Sequence, residues 1–133
     1  MQVRVITPES TVLESENAEH VLLPGENGEM GVLPGHISMI TGLGVGSMRI
    51  DLPDEQVRIA VSGGFAEVLE DSVTVLADTA ERAENINVQR ATAAKRRAEE
   101  RLAKRAADID RARAHAALAR ANNRLRVTGR LEE

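Results

Sequence analysis

Residues 56–77 read Gln56-Val57-Arg58-Ile59-Ala60-Val61-Ser62-Gly63-Gly64-Phe65-Ala66-Glu67-Val68-Leu69-Glu70-Asp71-Ser72-Val73-Thr74-Val75-Leu76-Ala77. Val57, Ile59 and Val61 alternate with Arg58, Ala60 and Ser62, the period of a strand with one buried face. Phe65–Glu70 and Ser72–Ala77 are β-branched or apolar runs of strand length, separated by a reversal at Asp71. Gly63 and Gly64 permit a turn or a bulge that side chains forbid. Three strands follow one another here with no room for a crossover helix, so the stretch predicts antiparallel pairing.

Upstream, the same short runs recur between turn signals. Gln2–Thr7, Thr11–Glu16, Glu19–Leu23, Met30–Leu33, Met39–Leu43 and Ser47–Asp51 read as strands, and Pro53-Asp54 marks a further reversal before Gln56–Ser62. Nine short strands at close spacing predict an all-β sandwich or barrel. The loop from Pro24 to His36 is dense in glycine and proline. It lacks the Gly-Lys-Ser/Thr ending of a P-loop and no helix follows it, so it reads as turns between strands. His20, His36 and His115 stand far apart in sequence, which argues against a metal site, and His36 reads as a loop or interface histidine.

Downstream the composition changes. All four prolines and nine of the ten glycines lie at or before Gly64, whereas Ala80 to Val127 holds neither and carries fifteen alanines. Residues 1–79 contain 3 Lys and Arg against 13 Asp and Glu, net −10, and residues 80–133 contain 14 against 8, net +6. Two physically different parts share the chain, 1–84 and 85–133. From Asn87 to about Ala107, and from Asp110 to Val127, almost every residue is a strong helix former. Asn87 suits the first N-cap and Asp108 or Asp110 the second. Ala106-Ala107-Asp108 is the expected turn of a helical hairpin, although it lacks the usual glycine; a continuous bent helix is the competing reading. Ala91, Ala94, Ala98, Leu102 and Arg105 form the stripe of the first helix, and Ala114, Ala117, Leu118, Ala121 and Leu125 that of the second. Alanine buries little apolar area, so the hairpin is expected to be intrinsically helical but loosely held.

The 133 residues include one aromatic side chain, Phe65, and no cysteine. A stacking platform for single-stranded nucleic acid is excluded, as are a disulfide framework, a zinc-thiolate centre and a thiol nucleophile. The start lacks the pattern of a signal peptide, and no run approaches the ~18 apolar residues of a membrane span. A soluble or peripheral protein is expected. No cluster of nucleophile, base and orienting group points to an enzyme.

The stretches Val5–Glu9, Gly28–His36, Ser62–Val68, Val73–Glu81 and Arg120–Leu125 together, in this order, resemble the family of F-type ATP synthase epsilon subunits, called delta in mitochondria. The resemblance implies an α+β fold: an N-terminal antiparallel β-sandwich of nine or ten strands, then an antiparallel two-helix hairpin. It implies a non-catalytic rotor subunit of the central stalk, peripheral on the cytoplasmic side of the cell membrane, which touches the membrane only through the c ring. Its sandwich would bind the gamma subunit and the c-subunit ring, with Glu29 and Met30 facing the ring and His36 toward gamma. Its hairpin would reach the alpha/beta catalytic head and inhibit ATP hydrolysis. No resident cofactor is implied. Some members bind ATP as a regulatory ligand through Ile/Leu-Asp-x-x-Arg-Ala at the first helix. Ile86, Arg90 and Ala91 match that motif, Asn87 replaces its aspartate, and Glu81, Arg97, Arg120 and Arg124 match further nucleotide-holding positions. The alternative is that Asn87 only caps a helix and the arginines form a solvated face. A nucleic-acid-binding module built on the basic hairpin is the competing function, opposed by the acidic first part and a pI near 5.5.

Overall fold

The computed structural model describes residues 1–104 and 110–129. Its first compact unit, Met1–Ala83, is built of strands; in its second, Glu84–Glu133, the described elements are helices. The eight strands are β1 (Gln2–Ile6), β2 (Thr11–Ser15), β3 (His20–Gly25), β4 (Gly28–Val32), β5 (Met39–Gly42), β6 (Val45–Asp51), β7 (Gln56–Val68) and β8 (Ser72–Arg82). They pair in the order β2-β1-β8-β7-β6-β3-β4, with β5 on the far half of β7.

The expected strands Gln56–Ser62 and Phe65–Glu70 are one strand, β7, which is why eight strands stand where nine were expected. The two glycines bend β7 without breaking it. On the β8 side the register runs unshifted from Ser62↔Thr79 to Gly64↔Ala77. On the other side the partner changes: Gln56–Ser62 pair with β6 and Phe65–Val68 with β5. Gly63 and Gly64 have φ +70 and +100, a region closed to most side chains. A Cβ on Gly64 would lie 2.1 Å from the Leu76 carbonyl oxygen. β8 likewise runs past the expected Ala77 to Arg82, so β7 and β8 each serve both layers of a sandwich.

One pairing corrects the antiparallel expectation: β1 and β8 run parallel, in register from Gln2↔Ser72 to Ile6↔Leu76. Parallel neighbours need a long connection, and here almost the whole unit intervenes. Alternation in sequence is the same for both orientations and cannot tell them apart. The core is aliphatic, as a chain with one ring requires: Val3, Val5, Val21, Leu23, Ile50, Ile59, Val73 and Val75 are fully buried around Met48.

In the second unit, α1 (Val88–Ala103) and α2 (Arg111–Val127) pack against each other. Asn87 caps α1 by accepting the Arg90 backbone N–H at 3.0 Å, and Asp110 caps α2 by accepting that of Arg113 at 3.0 Å. Ala91 and Ala98 are buried on α1, and Ala114, Ala121 and Leu125 on α2; Ala94, Leu102, Ala117 and Leu118 are half-buried. The stripes are therefore those the periodicity picks out, although buried Asn123 and Val127 lie outside them. Gly129, at φ +77, closes α2, its N–H donating to the Arg126 carbonyl at 2.9 Å. Arg105 and the turn residues Ala106-Ala107-Asp108 lie outside the described residues.

Candidate functional site

The tip of the β3–β4 hairpin is a two-residue turn, Glu26-Asn27, closed by the Gly25↔Gly28 pair. Its base is pinned to the β5–β6 turn: Glu26 N–H donates to the Gly42 carbonyl at 3.0 Å, and Gly44 N–H to that of Pro24 at 2.9 Å. Glu29 projects into solvent beside this turn, while Met30 is half-buried and packs on the core. His36 stands in the loop that leaves the opposite end of β4, so the strand separates it from Glu29. Its Nδ1 is 2.8 Å from the Ile37 carbonyl, and Gly35 N–H ties the loop to Glu70 at 2.8 Å. Leu33 and Ile37 of the same loop are 59% and 77% exposed.

A second surface escaped the sequence reading. Across the outer face of the β5–β7–β8–β1 layer, Gly42, Phe65, Leu76 and Ile6 are cross-strand neighbours, with Ile40 one pleat away. Ile40, Phe65 and Leu76 are all exposed. Exposed apolar clusters of this kind mark contact surfaces more often than scattered single residues do. The available signal was parity: Phe65 alternates with buried Ala66 and Val68, and the sole aromatic residue therefore points outward.

The residues matched to nucleotide binding fall into three groups. Asn87, Arg90 and Ala91 form the first turn of α1, where the Asn87 Oδ1 is engaged as the cap, Arg90 is exposed and Ala91 is buried, with buried Ile86 just ahead. Arg97 is exposed one heptad beyond Arg90, on the same side of α1. Arg120 and Arg124 are half-buried one turn apart on α2. Glu81 belongs to the first unit, half-buried in β8 opposite Ala60. Arginine suits phosphate because its planar donor fork fits two oxygens at once. Among the described residues no three His, Asp or Glu side chains gather to hold a metal ion, and no helix is long and apolar enough to cross a membrane.

Residues 1–83 match the beta-sandwich domain, and residues 84–129 the long alpha-helix domain, of the ATP synthase Delta/Epsilon chain. The chain is 50% identical to the ATP synthase epsilon chain of Pelotomaculum thermopropionicum over 103 residues, 77% of this chain and 76% of that one. It is 51% identical to the ATP synthase epsilon chain of Symbiobacterium thermophilum over 102 residues, 77% and 73% of the two chains. A chain of the Euglena gracilis mitochondrial ATP synthase structure shares the fold with a TM-score of 0.76 at 23% identity, covering 88% of this chain and 74% of that one. A chain of the Tetrahymena thermophila mitochondrial ATP synthase central stalk and c-ring structure does so with a TM-score of 0.62 at 9% identity, covering 96% of each. The protein belongs to the ATP synthase delta/epsilon chain family, and it is accordingly a rotor subunit of that enzyme complex.

Proposed function

We propose that the sandwich anchors this subunit to the gamma shaft and the c-subunit ring, and that the hairpin restrains ATP hydrolysis at the alpha/beta head. The observation that carries this reading is the division of the chain into a compact acidic sandwich and a separate basic hairpin. The first supplies contact surface: the row Ile40, Phe65, Leu76 and the His36 loop suit an apolar shaft, and Glu29 with Met30 suits the ring. The second supplies cations on a weakly packed frame. The Ala91–Ala98 and Ala114–Ala121 stripes bury methyl groups, each far smaller than a leucine side chain, so the hairpin is cheap to rearrange. The subunit contributes no catalytic group of its own. It lies on the cytoplasmic side of the cell membrane as a peripheral part of the complex, coupling proton movement in the ring to ATP synthesis in the head.

ATP is proposed as a regulatory ligand of the hairpin, held by Arg90, Arg97, Arg120 and Arg124 with Asn87 in the position of the motif's aspartate. Isothermal titration of the purified full chain with ATP tests this part alone, and no heat at millimolar ATP would remove it.

The anchoring claim is tested by tagging the full chain in its native cell. Gamma and c subunits are expected to co-purify, and Phe65→Asp is expected to reduce gamma recovery. Recovery of the chain with nucleic acid in place of these partners would overturn the reading in favour of the nucleic-acid-binding alternative.

A further inference from the structure

An asparagine side chain can react with the backbone nitrogen of the next residue, and at five of the six asparagines in this chain that nitrogen is engaged or crowded. Asn122 and Asn123 lie inside α2, where the following N–H groups belong to the helix ladder. Asn17 precedes buried Ala18, whose N–H donates to the Met1 carbonyl at 3.0 Å. Asn85 ends the short 3-10 helix Ala83–Asn85 before buried, β-branched Ile86. Asn87 has its Oδ1 engaged as the α1 cap and precedes β-branched Val88. Asn27 differs from all of these. It is exposed at the tip of the β3–β4 hairpin, its next residue is Gly28, and among the described residues its side chain makes no hydrogen bond.

The turn at this tip is also of the less favoured kind. Two-residue hairpin loops prefer types I′ and II′, which put positive φ on a central residue and so match the twist of the strands. Glu26 and Asn27 both have negative φ, since among the described residues only glycines have positive values. The positive φ, +130, falls instead on Gly28, one place beyond the loop. The surroundings of Gly28 are open, because a Cβ there would meet nothing within 4 Å. Opening of this turn releases Gly28 from its place opposite Gly25, while the bonds of Glu26 and Pro24 to the β5–β6 turn hold the base of the hairpin.

We propose that Asn27 is a site of spontaneous covalent modification, through which the tip of the hairpin gains a carboxylate. The Gly28 nitrogen gives up its proton to hydroxide and attacks Cγ of Asn27. The new Cγ–N bond closes a cyclic succinimide as the Cγ–Nδ2 bond breaks, and the amide nitrogen takes a proton from water and leaves as ammonia. Water then adds to one of the two ring carbonyls. Opening at Cγ leaves aspartate; opening at the main-chain carbonyl leaves isoaspartate, whose backbone is longer by a methylene. Nothing is oxidised or reduced. Glycine is the residue that least hinders the attacking nitrogen, having no Cβ. Either product sets a new negative charge between Glu26 and Glu29, and like charges this close repel one another. The altered tip no longer suits the ring contact of Glu29 and Met30. That consequence rests on the function proposed above, whereas the chemistry depends only on the turn.

The test follows the full chain by mass spectrometry during incubation in mildly alkaline buffer, folded and, in parallel, unfolded in urea. Trypsin leaves residues 5–49 as one peptide, whose fragment ions separate Asn17 from Asn27. The folded chain is expected to gain, at residue 27, the mass difference between an amide NH2 and an OH, with isoaspartate among the products. The gain should be at least about tenfold faster than at any other asparagine, a barrier difference of about 1.4 kcal/mol, and within several-fold of the rate in urea. Asn27→Gln, whose amide must close a larger ring, should remove it. A folded chain that keeps Asn27 intact while the unfolded chain reacts would overturn the proposal, because the turn would then protect the site. So would aspartate formed without isoaspartate, since direct hydrolysis passes through no cyclic imide. Binding to purified c ring is read separately, with aged wild type beside aged Asn27→Gln. Weaker binding by the wild type alone supports the consequence for the ring contact, and equal binding overturns that consequence without touching the chemistry.

Discussion

Replacing Gly64 by alanine should destabilise the sandwich far more than the same change at Gly28 or Gly35. All three glycines have positive φ, +100, +130 and +89, so each pays the conformational penalty of a side chain in that region, about 1–2 kcal/mol. They differ in surroundings. A Cβ at Gly28 or Gly35 would meet nothing within 4 Å, whereas at Gly64 it would lie 2.1 Å from the Leu76 oxygen and 2.8 Å from the Ala77 Cα. Both are backbone atoms of β8, which cannot rotate away as a side chain can. The strands must part, and the Phe65↔Leu76 and Ala66↔Val75 pairs lose their geometry. Strain and lost pairing together amount to at least about 3 kcal/mol. For a unit of this size that is a fall in melting temperature of about 12 °C or more. Thermal unfolding of the full chain followed by far-UV circular dichroism reads it out, with Gly28→Ala and Gly35→Ala as controls. If Gly64→Ala melts with the controls, the bend in β7 is not held by close approach to β8, and the account of how one strand serves two layers fails.

The remaining predictions concern the helices. Asn87→Ala should cost α1 about 1 kcal/mol through loss of the bond to Arg90 N–H, visible as an earlier loss of helical signal on heating. Asn87→Asp should keep the cap and gain a few tenths of a kcal/mol from the helix dipole, about 0.3 or more; if ATP binds as proposed, calorimetry should show tighter binding to this variant. Leu125→Ala should cost the hairpin about 2 kcal/mol or more, since Leu125 is 5% exposed, and half-buried Leu118 should cost clearly less; equal losses in the two melts would contradict the packing. Inhibition of hydrolysis should weaken with rising salt and in the combined Arg113→Gln, Arg120→Gln and Arg124→Gln variant, because each exposed ion pair is worth only about 0–1 kcal/mol and many must act together. Inhibition indifferent to both changes would refute the electrostatic part of the mechanism.

The legible parts of the fold were those set by local rules. Alternation at Val57, Ile59 and Val61, the caps Asn87 and Asp110, and the alanine stripes all follow from spacing and side-chain chemistry within a few residues. What was not legible depends on contacts distant in sequence. The parallel β1–β8 pair joins residues some seventy positions apart, and a period of two carries no direction. Gly63-Gly64 announced an irregularity, but whether the chain turns or bends there is decided by whether Leu76 and Ala77 remain in register opposite. Arg111, whose guanidinium donates to the Leu102 and Lys104 carbonyls at the end of α1, was hidden for a similar reason: a capping group nine residues beyond its first acceptor leaves no signature of the glycine type. The apolar row of Phe65, Leu76 and Ile6 required three strands to be placed side by side before its residues could be seen as neighbours.

The central claim is that the sandwich docks this subunit and the hairpin restrains the enzyme. The most direct measurement is ATP hydrolysis by the complex purified through the tagged full chain, beside the complex made with a chain ending at Ala83, the boundary of the first unit. The account predicts the same subunit composition in both and faster hydrolysis without the hairpin. An unchanged rate, or a complex that no longer retains the shortened chain, would contradict it.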